Sequence, residues 1–173
     1  MTRTLAGVVL GAALLSSTPA HALELANPIR ESNRWGIGFG GGSGPSGIST
    51  KYFFSKGFAL QGVVGAFGWG VGWDSSDQFN STGLGVQVDF LFELPTIVMA
   101  GDVMELGWCV GPGAWIGLGP DFWLGASGTL GLEFNFIPVP IDLVIEYKPA
   151  IRFVDTVGFN PVAFGGHVRI YFM

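Results

Sequence analysis

Phe164-Gly-Gly-His-Val-Arg-Ile-Tyr-Phe-Met173 ends the sequence, and its meaning emerges two residues at a time. Phe164, Gly166, Val168, Ile170 and Phe172 share one face, while Gly165, His167, Arg169 and Tyr171 share the other. That period of two belongs to a strand with unlike surroundings on its two sides. One side is apolar and aromatic, and the other carries a histidine and an arginine. Such a strand needs partners, and the preceding residues supply seven.

Working back from the front of the chain, Arg34 to Gly41 sends Trp35, Ile37 and Phe39 one way and Gly36, Gly38 and Gly40 the other. Gly47 to Phe54 alternates Ile48, Thr50, Tyr52 and Phe54 with Ser49 and Lys51, and a tight turn at Ser55-Lys56-Gly57 follows. Phe58 to Phe67 sets Leu60, Gly62, Val64 and Ala66 against Gln61, Val63 and Gly65. The fourth segment opposes Leu84, Val86, Val88, Phe90 and Phe92 to Gly85, Gln87 and Asp89. Met104 to Gly113 alternates Leu106, Trp108 and Val110 with Glu105, Gly107 and Cys109. Trp123 to Phe134 opposes Leu124, Ala126, Leu130 and Leu132 to Ser127, Thr129, Gly131 and Glu133. Beyond a proline-bearing connection, Ile141 to Ala150 alternates Leu143, Ile145 and Tyr147 with Asp142, Val144, Glu146 and Lys148. A loop from Asp155 to Asn160 leads into the last strand.

Mean hydropathy is +0.48, yet no stretch after the first 22 residues offers 18 continuous apolar residues. In hydrocarbon only helices and closed barrels satisfy every backbone group, and a barrel distributes its apolar surface over alternate residues. The expectation is an all-β, eight-stranded antiparallel transmembrane up-and-down barrel over residues 34–173. An even strand number places both ends of the barrel chain on one side, so the connections near 43–46, 68–81, 114–121 and 152–160 share the other. Trp35, Tyr52, Trp108, Tyr147 and Phe172 fall toward strand ends, as interfacial aromatics do. A soluble barrel with an apolar lumen, as in lipocalins, is the alternative; it would leave broad aromatic faces in water.

Met1 to Ala22 has Arg3, an apolar run from Leu5 to Leu15 and the triplet Ala20-His21-Ala22, the three parts of a cleavable signal peptide. The run is too short for a spanning helix. Cleavage after Ala22 would remove Arg3 alone among the Lys, Arg, Asp and Glu side chains, moving the formal net charge from −5 to −6. Residues 23–33 would form a short periplasmic segment. This balance excludes a nucleic-acid partner, which requires a basic surface.

Eight strands enclose a lumen just wide enough for side chains, so interior charges must pair. Lys51, Gln61, Asp89, Glu105, Glu133, Glu146, His167 and Arg169 form one expected interior polar belt of structural role. The registers suggest Lys51 facing Gln61, Gln61 near Asp89, and Glu146 facing His167 with Lys148 and Arg169 nearby. A catalytic version of Glu146 and His167 would make the histidine a general base, but strands seven and eight supply no serine nucleophile. No catalytic, cofactor-binding or metal-binding residues are assigned. Cys109 is the only cysteine, which rules out an intramolecular disulfide and multi-cysteine metal sites. Gly36, Gly38 and Gly40 precede no helix and so form no phosphate loop. Trp69-Gly-Val-Gly-Trp73 reads as an aromatic rim and Asp74 to Thr82 as the one clearly polar loop.

Gly36-Ile-Gly-Phe-Gly40, Gly44-Pro-Ser-Gly-Ile-Ser-Thr-Lys-Tyr-Phe-Phe54, Val88-Asp-Phe-Leu-Phe92, Pro140-Ile-Asp-Leu-Val-Ile-Glu-Tyr-Lys-Pro149 and the closing strand resemble a family of small barrels first noted in spirochaetes. These are OmpA-like eight-stranded proteins without the periplasmic peptidoglycan-binding domain. The most specific pieces are Gly-x-Ser-x-Lys-Tyr in strand two and Pro-x-Asp-x-x-x-Glu in strand seven. The resemblance implies the cell outer membrane, lipid contact, a monomer, and handling by the barrel assembly machinery. Phe164, Val168, Ile170 and Phe172 resemble the signal that this machinery reads, although Met173 follows the final aromatic. The resemblance carries no activity. A structural or surface-interaction role, a narrow solute pore and a lipid A-modifying enzyme are the three expectations it leaves.

Overall fold

A computed structural model describes residues 28–30, 34–67, 83–119, 122–154 and 157–172. Its strands are β1 (Arg34–Gly42), β2 (Ser46–Ser55), β3 (Phe58–Phe67), β4 (Gly83–Ala100), β5 (Met104–Leu118), β6 (Trp123–Phe136), β7 (Ile141–Tyr147), β8 (Ala150–Arg152), β9 (Gly158–Asn160) and β10 (Phe164–Phe172). A 3-10 turn at Pro28–Arg30 precedes them. The leader, the Trp69–Trp73 rim, the Asp74–Thr82 loop and Met173 lie outside the described residues. Among the described residues no helix is long and apolar enough to cross a membrane, which has no bearing on strands.

Period-two sequence becomes a closed antiparallel barrel of eight strands. Each of β1 to β6 pairs with the next, β10 returns to β7, and β1 joins β10 to complete the ring. The seam runs from Trp35↔Phe172 to Gly42↔Gly165 without a break. Gly38 makes it possible: a Cβ there would collide with the Val168 carbonyl of the partner strand. The hairpin β8–β9 stands on the rim, with β8 paired to Gly125–Ser127 of β6.

Turns at 56–57, 101–103 and 137–140 and the chain ends of the barrel gather at one pole, here the turn end; the other connections form the loop end. The wall is uneven, since β1 has 9 residues and β4 has 18. A register shift between Leu94 and Val98, at Pro95, accommodates the extension of β4.

Three expectations on strand limits are corrected. The Gly111-Pro-Gly113 stretch reads as the end of a strand, yet β5 continues to Leu118, because Trp115 and Gly117 inside against Ala114, Ile116 and Leu118 outside keep the alternation. Pro112 lacks an amide proton and falls where the β4–β5 register has no pairs between Asp89↔Gly113 and Phe92↔Val110, while the facing Gly128 donates its N–H to the Pro149 carbonyl at 3.0 Å. The connection expected at 114–121 therefore shrinks to the residues between Leu118 and Trp123. Strand seven is interrupted at Lys148-Pro149, where the Lys148 amide donates to the Ala163 carbonyl, and part of the 155–160 loop is strand β9.

Side-chain polarity follows the pleat. Phe39, Leu84 and Val64 point outward and are 75%, 63% and 54% exposed, while Lys51, Gln61, Asp89 and Glu146 point inward at 0%. Outer rings touch in series near the turn end: Trp35 with Tyr52, Tyr52 with Phe54, Phe54 with Phe90, and Phe90 with Phe92. Trp108 donates its indole N–H to the Pro95 carbonyl and Tyr147 its hydroxyl to that of Pro161.

Candidate functional site: the charged lumen

The chemistry-bearing side chains are inside, stacked along the barrel axis in two clusters with a bridge. At the turn end, alternate positions of β4, β5 and β6 bring Glu93, Glu105 and Glu133 together, with Lys51 from β2 as counterion. Lys51 Nζ lies 2.5 Å from Glu133 Oε1 and 2.7 Å from Glu93 Oε1, and stands 4.7 Å over the Phe53 ring. Glu105 accepts hydrogen bonds from Asn135 Nδ2 at 3.1 Å and from Thr96 Oγ1. Arg30 reaches in from the 3-10 turn, within 3.5 Å of Glu133, 3.6 Å of Glu93 and 3.7 Å of Glu105, and donates to the Leu94 carbonyl at 2.7 Å. Burial opposes its charge, but the carboxylates of Glu133, Glu93 and Glu105 outweigh burial and raise its pKa.

The loop-end cluster centres on Asp89 and Glu146. Lys148 Nζ sits 2.6 Å from Glu146 Oε2 and 2.9 Å from Asp89 Oδ2, which also accepts from Gln87 Nε2 at 2.6 Å. His167 Nε2 is 2.9 Å from Glu146 Oε2, and its Nδ1 is 3.0 Å from Ser49 Oγ. With Nε2–H directed at the carboxylate, Nδ1 is left to accept from the serine hydroxyl. Gly40 opens the space, because a Cβ there would collide with the imidazole.

Between the clusters, Arg169 grips Asp142 through Nε at 3.1 Å and Nη2 at 2.7 Å, and Tyr171 donates to the same carboxylate at 2.7 Å. Gln61 joins both ends: its Oε1 accepts from Arg169 Nη1 at 2.5 Å and its Nε2 donates to Glu146 at 2.8 Å and Asp89 at 3.2 Å. A buried polar network of this kind is stable only if its members find partners, and nearly all do. Among the described residues the exceptions in hydrogen-bond terms are Arg30 Nε, Glu93 Oε2 and Asn135 Oδ1, while Glu93 Oε1 is ion-paired with Lys51 at 2.7 Å.

All eight residues of the expected belt are buried in the interior, as two linked clusters along the axis. Lys51 does stand across from Gln61 in the backbone register and Gln61 across from Asp89, but the ion partners of Lys51 are Glu93 and Glu133. Glu146 is opposite Gly165, and His167 is opposite Val144, so the expected facing pair is displaced by two residues. The β8–β9 hairpin sets that offset, and the two side chains meet diagonally. Arg169 consequently takes Asp142. Arg30, Ser49, Gln87, Glu93, Asn135, Asp142, Lys148 and Tyr171 join the network from outside the eight expected belt residues.

Glu93, Cys109 and Glu133 hold donor atoms within 4.8 Å of one another, a set able to attract a metal ion. The Lys51 ammonium is already paired with both of these carboxylates. Ser49, His167 and Glu146 repeat the order of a hydrolytic triad, yet all three are buried. On the lumen side the void touching His167, lined also by Gln87 and Lys148, measures about 10 Å³, room for one water molecule rather than an ester, while the open hollow of about 430 Å³ that also reaches His167 is lined by the outward Phe39, Leu143, Ile145 and Val168. Chemically, the arrangement pairs the buried charges with one another and fills the lumen. The chain matches no protein-family model, no curated protein and no solved structure.

Proposed function

We propose that this protein is a monomeric outer-membrane β-barrel with a structural or surface-interaction role and a lumen sealed by side chains. The carrying observation is inverted polarity: Phe39 is 75% exposed on the wall, whereas Lys51, Asp89 and Glu146 are fully buried inside. A wall of that composition matches hydrocarbon, and closing the ring gives each of the eight strands a neighbour on both sides. The aromatic series from Trp35 to Phe92 suits an interfacial girdle. The signal peptide expected at 1–22 would deliver the chain, with the turn end toward the periplasm and the loop end outside. Kinship with the OmpA-like spirochaete barrels is part of this proposal, as is handling by the barrel assembly machinery.

The test is heat-modifiable migration: protein extracted from outer membranes should run at different positions before and after boiling. A chain recovered from the soluble periplasm with no shift would overturn the proposal. Planar bilayers should show no steady channels, because the Lys51 and Arg169 ion pairs occupy the bore. The Ser49–His167–Glu146 chain supports a second reading, acyl-ester chemistry on lipid A. It requires altered lipid A in a deletion strain and labelling of Ser49 by a fluorophosphonate; the filled lumen predicts neither.

A further inference from the structure

Pro28–Arg30 belongs to no strand, yet Ile29 is 1% and Arg30 7% exposed. Ile29 packs in one cluster with Phe53, Ala59, Leu91, Cys109 and Tyr171, all on the inner wall at the turn end. The Arg30 guanidinium lies among Glu93, Glu105 and Glu133 and against the Leu94 carbonyl. Gly107 is part of the seat, since a Cβ there would collide with Arg30 Nη2. The mouth thus offers an apolar wall and, one residue further, an acidic pocket with a backbone acceptor.

Three features indicate that what fills this socket can leave it. The segment adds no rung to the barrel, whose β1 begins only at Arg34. Its carboxylate separations of 3.5–3.7 Å exceed the ~2.7–2.9 Å of a tight charge-assisted hydrogen bond. Arg30 Nε is buried without a hydrogen-bond partner. Lys51 pairs with Glu93 and Glu133 through contacts that do not involve Arg30, and no strand pairing of the wall runs through the segment.

We propose that the turn-end mouth is a binding socket for an apolar–arginine pair, occupied in the resting protein by Ile29-Arg30 acting as a reversible plug, and open to a second peptide of the same chemistry when that plug lifts. Cys109, 0% exposed and in the cluster with Ile29, is a built-in reporter of the mouth. The folded full-length protein is exposed to a small cationic methanethiosulfonate, with barrel integrity followed by the unboiled gel position. A reversible plug gives measurable modification of Cys109 in the folded band. Arg30→Ala should speed it by about tenfold or more, the factor equivalent to ~1.4 kcal/mol of lost plug affinity. Gly107→Ala, which crowds the guanidinium from the opposite side, should act likewise without altering the segment itself. Millimolar acetyl-Pro-Ile-Arg-amide should slow modification in the Arg30→Ala protein by refilling the mouth, and acetyl-Pro-Ile-Glu-amide should not. Modification only after the folded band is lost would overturn the reversible plug, and equal effects of the two peptides would overturn the socket's selectivity.

Discussion

Replacing Arg169 by methionine tests how the lumen is held together. The guanidinium makes two contacts of 3.1 Å and one of 2.7 Å to Asp142 and one of 2.5 Å to Gln61, and it is 1% exposed. Methionine approximates its stem and removes the charge. Asp142 would retain the Tyr171 hydroxyl at 2.7 Å but would be a buried, uncompensated anion. Breaking a buried pair from one side costs about 3–5 kcal/mol, and the remaining hydroxyl argues for the lower part of that range. Gln61 Oε1 loses its donor as well. Adding Asp142→Asn to Arg169→Met leaves that loss in place but removes the stranded charge while preserving an acceptor for Tyr171. The double variant should therefore regain about 2 kcal/mol over the single one. Urea titration in lipid vesicles, read by the fraction migrating as folded, measures all four proteins of the cycle. A double variant no more stable than Arg169→Met would refute the argument, because stability would then not depend on charge compensation inside the barrel.

Gly38→Ala places a methyl group against the Val168 carbonyl at the seam and should sharply reduce the folded fraction on refolding, whereas Gly62→Ala, whose Cβ would have its nearest neighbour at 3.5 Å, should fold normally. Val88→Arg, on the outer wall of β4 and 43% exposed in the isolated chain, should cost about 2–4 kcal/mol in vesicles if the wall meets hydrocarbon, and close to nothing if it meets water. Ser127→Ala removes the hydroxyl that accepts from the Trp115 indole N–H at 2.8 Å; a loss of about 1 kcal/mol in the same urea assay is expected.

Strand identity and face were legible in the sequence because the two sides of the wall differ so much. Lys51 between Thr50 and Tyr52, or Glu146 between Ile145 and Tyr147, can face only one way once the sheet closes. Partner choice was less legible, for a geometric reason. Charged side chains cross the bore, so Lys51 meets Glu133 from a strand that is not its neighbour in the sheet, and Gln61 reaches Glu146. Turn-based register guesses see adjacent strands alone. The Glu146–His167 offset arose because the β8–β9 hairpin, with Pro149 at its base, is not a simple loop. Arg30 was hidden for a different reason: no periodicity marks a three-residue turn, and only the surplus of carboxylates over cations near Glu93 hinted at a missing guanidinium.

The unbroken ladder between β1 and β10 also dictates the order of events during folding. Trp35 meets Phe172 across nearly the whole barrel sequence, so this contact is expected to form late, after its long loop has been closed. Until then the barrel is an open sheet, and Lys51, Glu133 and Arg169 are still hydrated rather than paired in a dry interior. The last step to close the wall is therefore also the step that expels water from the charges, which couples completion of the sheet to neutralisation of its contents. An incompletely delivered chain lacking β10 would have neither a sealed wall nor the Arg169 counterion of Asp142, and would remain visibly unfinished to whatever machinery handles it.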